Sequence, residues 1–205
     1  MTSEEIMAYY AETANRETRP DLVFAASLVE GNKIAIDCGC GAGSDIAYLR
    51  KEGFIVYAFD IEEESIKICT ERFKGDENIF LSQNSFSSFH YPESTLVVAD
   101  ASLFFCLETE FEKVWNKIYN SLMTGGVFCG SFLGPKDTMA GPSYDRNAYW
   151  SNILTFKEED LWSKLEALDV LKFTEHNVAG ETLQGLPHQW HIYSVVAKKS
   201  SENPA

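Results

Sequence analysis

The chain has 205 residues, enough for one domain with a full core. An apolar share of 45% with 13% aromatic residues marks a globular α/β protein rather than a disordered one. The formal net charge is −14 and no cluster of Lys or Arg breaks the acidic background, which argues against nucleic acid and an anionic membrane surface as partners.

No apolar run of about 18 residues and no charged-then-apolar leader is present, so the sequence predicts neither a membrane span nor a signal peptide, and a cytoplasmic location. Five cysteines without a CxxC spacing fit reduced thiols in such a compartment. Cys38 and Cys40 could suggest a metal, but no second Cys or His pair accompanies them, and small packing residues are the better reading.

Taken in chain order, Thr2 to Thr18 predicts a short helix capped at Thr2 or Ser3 and ended by Arg16, Arg19 and Pro20. Asp21 is expected to cap a second helix, carrying Leu22 to Val29 and leading to the turn at Gly31-Asn32. Lys33 to Asp60 then reads as strand, glycine-rich turn, helix and second strand. Ile34 and Ile36 suit a buried parallel strand, and Asp37-Cys38-Gly39-Cys40-Gly41-Ala42-Gly43 removes side chains where the backbone must bend and approach a ligand. Ser44 to Lys51 resumes helical spacing, Gly53 stops it, and Phe54 to Phe59 delivers Asp60 to a strand end, where ligands bind in open α/β sheets. Asp60 lies about 20 residues past the first glycine, the separation at which a carboxylate reaches ribose hydroxyls.

Glu62 to Ser65 opens a helix with acidic residues favourable to its dipole, and Ile66, Cys69 and Phe73 give it an apolar face. Asn78 to Ser82 is a third strand, followed by the loop Gln83-Asn84-Ser85-Phe86. Thr95 to Ala99 is a fourth strand, running into the loop Asp100 to Cys106. From Glu108 to Leu122 an apolar stripe at helical spacing predicts a sheet-facing helix. Gly125-Gly126 then turns into a fifth strand, Val127 to Phe132. Residues 134–154 form a long connection, read as a candidate lid or as a plain surface loop. Thr155 to Glu158 reads as a capping box opening a helix through Leu168. Val170 to Val178 and Gln189 to Ala197 pair as a closing hairpin, and 198–205 is a polar tail. In all, βα alternates five times before the hairpin.

The glycine pattern is Gly39-x-Gly41-x-Gly43 with Ser44 at the sixth place, where a dinucleotide fingerprint wants a small residue, and Asp37 would repel a pyrophosphate. A carboxylate there suits a cation. The run DCGCGAG followed by a strand ending in Asp60 resembles the first two motifs of class I S-adenosylmethionine (SAM)-dependent methyltransferases. VADASLFFC resembles the fourth-motif loop of small-molecule methyltransferases, and GLPHQWHIYSVVAKK with SLFFC and GPKDTMAG looks like a small, single-domain branch close to the tellurite-resistance type.

The resemblance implies a Rossmann-like three-layer α/β sandwich over residues 1–205, with a seven-stranded, mostly parallel sheet and an antiparallel strand from the C-terminal hairpin. Residues 1–31 would lie over the cofactor. SAM would be the cofactor and S-adenosylhomocysteine the product. The family pattern assigns Asp37, Gly39, Gly41, Gly43, Asp60, Ile61, Asn84, Ser85, Phe86 and Ala99 to the cofactor, with Tyr10 and Arg19 at the methionine carboxylate. Asn84 stands where the family usually has an Asp, though its amide oxygen can still accept from adenine. The same pattern puts Tyr9, Phe104, Phe105 and Trp150 at the acceptor pocket, while ordinary core packing is the alternative for these aromatics.

The acceptor would be a small molecule. Methyl transfer is an in-line displacement that needs alignment of nucleophile and methyl and exclusion of water. A thiol, selenium or tellurium acceptor attacks without a base. A carboxylate or hydroxyl metabolite wants one, and His188 and His191 are the candidates, three residues apart and so expected on opposite strand faces. Lys136 and Arg146 could then recognise the substrate. A SAM-binding protein without catalysis is the further alternative. No metal is implied, and the oligomeric state is left open.

Overall fold

The computed structural model describes residues 3–145, 151–182 and 185–200. Seven strands form one sheet: β1 Ile34–Cys38, β2 Ile55–Asp60, β3 Ile79–Gln83, β4 Ser94–Ala99, β5 Leu122–Leu133, β6 Leu168–Glu181 and β7 Pro187–Lys199. Their order across the sheet is β3-β2-β1-β4-β5-β7-β6. The first five run parallel, β7 inserts antiparallel between β5 and β6, and β6 closes the edge as its hairpin partner. Six helices flank this sheet: α1 Ser3–Thr13, α2 Pro20–Ser27, α3 Ser44–Lys51, α4 Glu63–Arg72, α5 Glu108–Ser121 and α6 Glu158–Leu165.

Period-2 alternation along the central strands divides the core between the two faces of the sheet. Ile36, Cys38, Phe59, Val97, Ala99, Phe128 and Phe132 point to one face, where α5 covers them with Phe111, Val114, Trp115 and Ile118, residues at helical spacing. Ala35, Val56, Ala58, Leu96, Val98, Val127 and Cys129 point to the other, together with Leu22 and Ala25 of α2, Ile46 and Leu49 of α3 and Cys69 of α4. Both faces of β4 are buried throughout. This is why Leu96 to Ala99 read as an unbroken apolar run.

Local expectations fail where tertiary contacts intervene. The β3–β4 connection, residues 84–93, holds no helix, so βα alternates four times rather than five. Its aromatics do a helix's work: Phe89 stacks on Phe59 with ring centroids 4.2 Å apart, and Phe86 and Tyr91 meet the same ring edge-on. Helix α1 stops at Thr13, short of Thr18, and Arg16 and Arg19 beyond it pair with Asp45. Arg19, not Asp21, occupies the cap position of α2, with Pro20 in its first turn. The capping box at Thr155 does not form: the Phe156 amide donates to the Leu133 carbonyl, which holds that stretch extended, and α6 starts at Glu158. Strand β5 begins at Leu122, before the Gly125-Gly126 pair, with its pairing shifted between Ser94 and Leu96.

Among the described residues, no helix is long and apolar enough to cross a membrane.

Candidate cofactor and acceptor site

The site lies at the carboxyl ends of β1, β2, β4 and β5. Backbone amides of Gly39 and Cys40 both donate to the Phe59 carbonyl, at 2.8 and 3.0 Å, which folds the glycine turn back over β2. Gly39 has φ +75°, and a Cβ there would stand 2.6 Å from Cβ of Ser102. Gly43, at φ +79°, caps α3, and a Cβ on it would meet the Phe73 ring at 2.7 Å. Both positions therefore require glycine for conformation and for space. The turn's carbonyls are held from α4: Ser65 Oγ donates to Gly41 O at 2.6 Å and Arg72 Nη1 to Ala42 O at 2.7 Å.

Asp60, at the end of β2, accepts from the Gly41 amide through Oδ2 at 2.9 Å and from the Glu62 amide through Oδ1 at 3.0 Å. Ile61 beside it is exposed, its carbonyl accepting from Gln83 Nε2. Asn84 donates its backbone amide to Asp60 O, and its side-chain oxygen accepts from Ser88 Oγ. Ser85 Oγ contacts the hydroxyls of Ser87 and Ser88, and Phe86 is the partly buried ring against Phe59. Asp60, Ile61, Asn84 and Ser85 thus share one edge of the site.

Asp37 is almost fully buried, and its Oδ2 has no hydrogen-bond partner. Burial pushes its carboxyl well above the usual range; Asp45 adds to that, Arg16 and Arg19 oppose it, and Asp60 raises it further. Arg19 comes in from the start of α2. Its Nη2 donates to Asp45 Oδ2 at 2.7 Å and its Nη1 pairs with Asp100 Oδ1, while its buried Nε has no partner. Among the described residues, these are the two buried side-chain polar atoms without a hydrogen bond: one acceptor and one donor. Buried polar atoms are otherwise satisfied, so these two orphans call for a partner. Arg16 completes the cluster, with Nε to Ser44 Oγ at 3.0 Å and Nη2 to Asp45 at 3.3 Å.

Tyr10 is buried over the turn, its ring 3.8 Å from where a Gly41 Cβ would lie. Burial and the carboxylates of Asp60 and Glu62 raise its hydroxyl far above the ordinary value, so it stays a neutral donor. Tyr9 is partly exposed beside Tyr10, with its hydroxyl raised by burial and by Asp100 and Asp60, and lowered by Arg16.

On the acceptor side, Ala99 is fully buried at the end of β4. Ala101 follows with φ +48°, its amide donating to Ser131 Oγ at 2.8 Å. Phe104 is buried and Phe105 partly so, the rings 4.6 Å apart. The Leu154 amide donates to Phe104 O at 2.7 Å, so the far end of the 134–154 segment crosses both this loop and the end of β5. Trp150 and Arg146 lie outside the described residues.

The two histidines differ. His191 is buried with both ring nitrogens committed: Nδ1 accepts from the Lys136 amide at 3.0 Å, so Nε2 carries the proton toward Glu175 at 2.8 Å. His188 stacks on Trp190, with its Nε2 3.0 Å from Asp137 Oδ1. Asp137 also accepts from the amides of Met139 and His191, which leaves His188 Nε2 as a donor to it and puts the lone pair on Nδ1. Both rings contact the turn after β5, His188 at the Asp137 carboxylate and His191 at the Lys136 amide.

Sequence reasoning missed Asp45 and Asp100. Their signal is present all the same: a carboxylate in the first turn after a glycine-rich loop, and one at a strand end, in a chain with two arginines just upstream.

Residues 36–130 match the family model described as a methyltransferase domain. A protein of Geobacillus sp. (strain WCH70), provisionally named a methyltransferase, is 29% identical over 105 residues, or 48% of this chain and 41% of that protein, so the match spans about two fifths of its length. The fold resembles TehB from Haemophilus influenzae, with a TM-score of 0.74 at 18% identity, over 95% of this chain and 67% of that one. It also resembles the Burkholderia thailandensis 1,6-didemethyltoxoflavin-N1-methyltransferase, solved with its substrate and S-adenosylhomocysteine, with a TM-score of 0.69 at 16% identity over 97% of this chain and 83% of the other. The N-methyltransferase NodS from Bradyrhizobium japonicum, solved with S-adenosylhomocysteine, has a TM-score of 0.67 at 14% identity, with 98% of each chain covered. The match over residues 36–130, the motif at Asp37 to Gly43, the strand ending in Asp60 and this sheet order together support a class I SAM-dependent methyltransferase domain.

Proposed function

We propose that this protein transfers the methyl group of SAM to a small-molecule acceptor. The observation that carries the reading is the pair of buried orphans, Asp37 Oδ2 and Arg19 Nε. An amino-acid zwitterion needs one acceptor for its ammonium and one donor for its carboxylate, and these atoms supply both. Asp60 would take the ribose hydroxyls and Asn84 with Ser85 the adenine edge, while Tyr10 covers the glycine turn. When bound, the cofactor supplies an electrophilic methyl on a sulfonium. The protein's part is to align the acceptor and exclude water, with segment 134–154 acting as lid over Phe104 and Phe105.

For the acceptor we favour a thiol or a selenium or tellurium species. The aromatic loop and the fold likeness to TehB support this class. A second reading, a hydroxyl or carboxylate metabolite, is favoured by one observation: His188, oriented by Asp137, presents a lone pair on Nδ1 as a general base would.

Calorimetric titration with SAM, S-adenosylhomocysteine and NAD tests the cofactor. Micromolar binding of the first two, lost in Asp60→Ala and absent for NAD, is expected. No binding of either sulfur compound overturns the reading. A screen of thiols, selenite and tellurite against hydroxyl and carboxyl metabolites then separates the acceptor classes, and binding without any turnover would leave a regulatory SAM-binding protein.

A further inference from the structure

Arg19 is held by two carboxylates that come from different parts of the chain. Asp45, buried in the first turn of α3, takes Nη2 and also accepts from Arg16; Asp100, at the end of β4, takes Nη1. A free guanidinium grips a carboxylate ligand through two parallel N–H groups, and here both terminal nitrogens are already engaged. Each terminal nitrogen keeps a second N–H, and Nε is the one nitrogen of the group with no partner at all.

We infer that Asp45 is a positioning residue for cofactor recognition: with Asp100 it fixes the Arg19 guanidinium so that its remaining N–H groups, Nε–H among them, are offered to the carboxylate of the cofactor's amino-acid end. This rests on the SAM reading above. Asp45 touches no ligand atom. It acts by holding Arg19 in one rotamer, which removes the entropy cost of ordering that side chain when ligand arrives. Its bond to Arg16 ties the linker after α1 to the same point, so the segment that covers the turn and the donor that reads the carboxylate are set by one side chain.

Two ligands separate this from a merely structural role. S-adenosylhomocysteine carries the amino-acid end, and 5′-methylthioadenosine has the same nucleoside and thioether without it. In Asp45→Asn, which keeps shape and loses charge, S-adenosylhomocysteine should bind about tenfold more weakly, while methylthioadenosine stays within about twofold of wild type. The loss should also be absent on an Arg19→Lys background, where the Nε–H geometry no longer exists. Equal weakening of both ligands, or no weakening of either, overturns the inference while leaving the cofactor reading intact. Failure of the wild-type protein to bind S-adenosylhomocysteine overturns both.

Discussion

Ser102 Oγ donates to the Cys38 carbonyl at 2.6 Å, so the acceptor-side loop is sewn to the glycine turn where the turn carries no side chain. That contact makes Gly39 sterically special, and Gly53 offers the comparison. Both have positive φ, +75° and +87°, but a Cβ at Gly53 meets nothing within 4 Å. Gly53→Ala should cost about 1 kcal/mol, the strain of a left-handed alanine. Gly39→Ala should cost about 1–3 kcal/mol more, from overpacking against Ser102. Urea denaturation of the two variants measures the difference directly.

Asp37→Asn should stabilise the ligand-free protein and damage it as a binder. Burial holds the folded carboxyl well above its ordinary value of 3.8. The stability associated with its neutral form is complete below that value and is lost as pH rises through the folded one. Wild type and variant should therefore be about equally stable in acid, with the variant ahead at neutral pH. Affinity for S-adenosylhomocysteine should fall by tenfold to a hundredfold, on the order of one charge-assisted hydrogen bond. Thermal melts across pH, with and without ligand, check both halves.

His188→Asn divides the acceptor readings. For a hydroxyl or carboxyl substrate, kcat should drop about 10²–10⁴-fold. For a thiol, selenium or tellurium acceptor the variant should turn over at close to the wild-type rate. Steady-state kinetics on one substrate of each class decides between them.

Arg72 Nη1 donates to both Ala14 O and Ala42 O, at 2.7 Å each, joining the end of α1 to the glycine turn through α4. Arg72→Ala should release that joint. Limited proteolysis should cut residues 3–18 about tenfold faster, since one charged hydrogen bond is worth about 1.5–3 kcal/mol. Added S-adenosylhomocysteine should slow the cut again.

The stretch from Asp37 to Asp60 was legible because its signals are local: alternate glycines, a helix of ordinary spacing and a carboxylate at a strand end. The sheet order followed from the same stretch through the family resemblance. Element boundaries near Arg19 and Thr155 were not legible, since they depend on carboxylates 26 and 81 residues from Arg19 and on the Leu133 carbonyl 23 residues from Phe156. The loop after β3 was read as a loop, but its packing was not legible. Nothing local shows that Phe86, Phe89 and Tyr91 converge on one ring of β2. His191 illustrates the limit for chemistry: its spacing from His188 was visible, but the amide of Lys136 and the carboxylate of Glu175 that occupy it were not.

The antiparallel insertion of β7 has a consequence for synthesis. Val127 to Leu133 pair with Lys198 to Ile192, among the last residues of the sheet to be made. During translation β5 keeps one open edge, flanked by Phe128 and Phe132, until the last strand of the sheet has been made. Such an edge is a template for pairing with another nascent chain. A nascent chain halted before Ile192 would thus hold the five parallel strands and still present the β5 edge to a neighbouring chain.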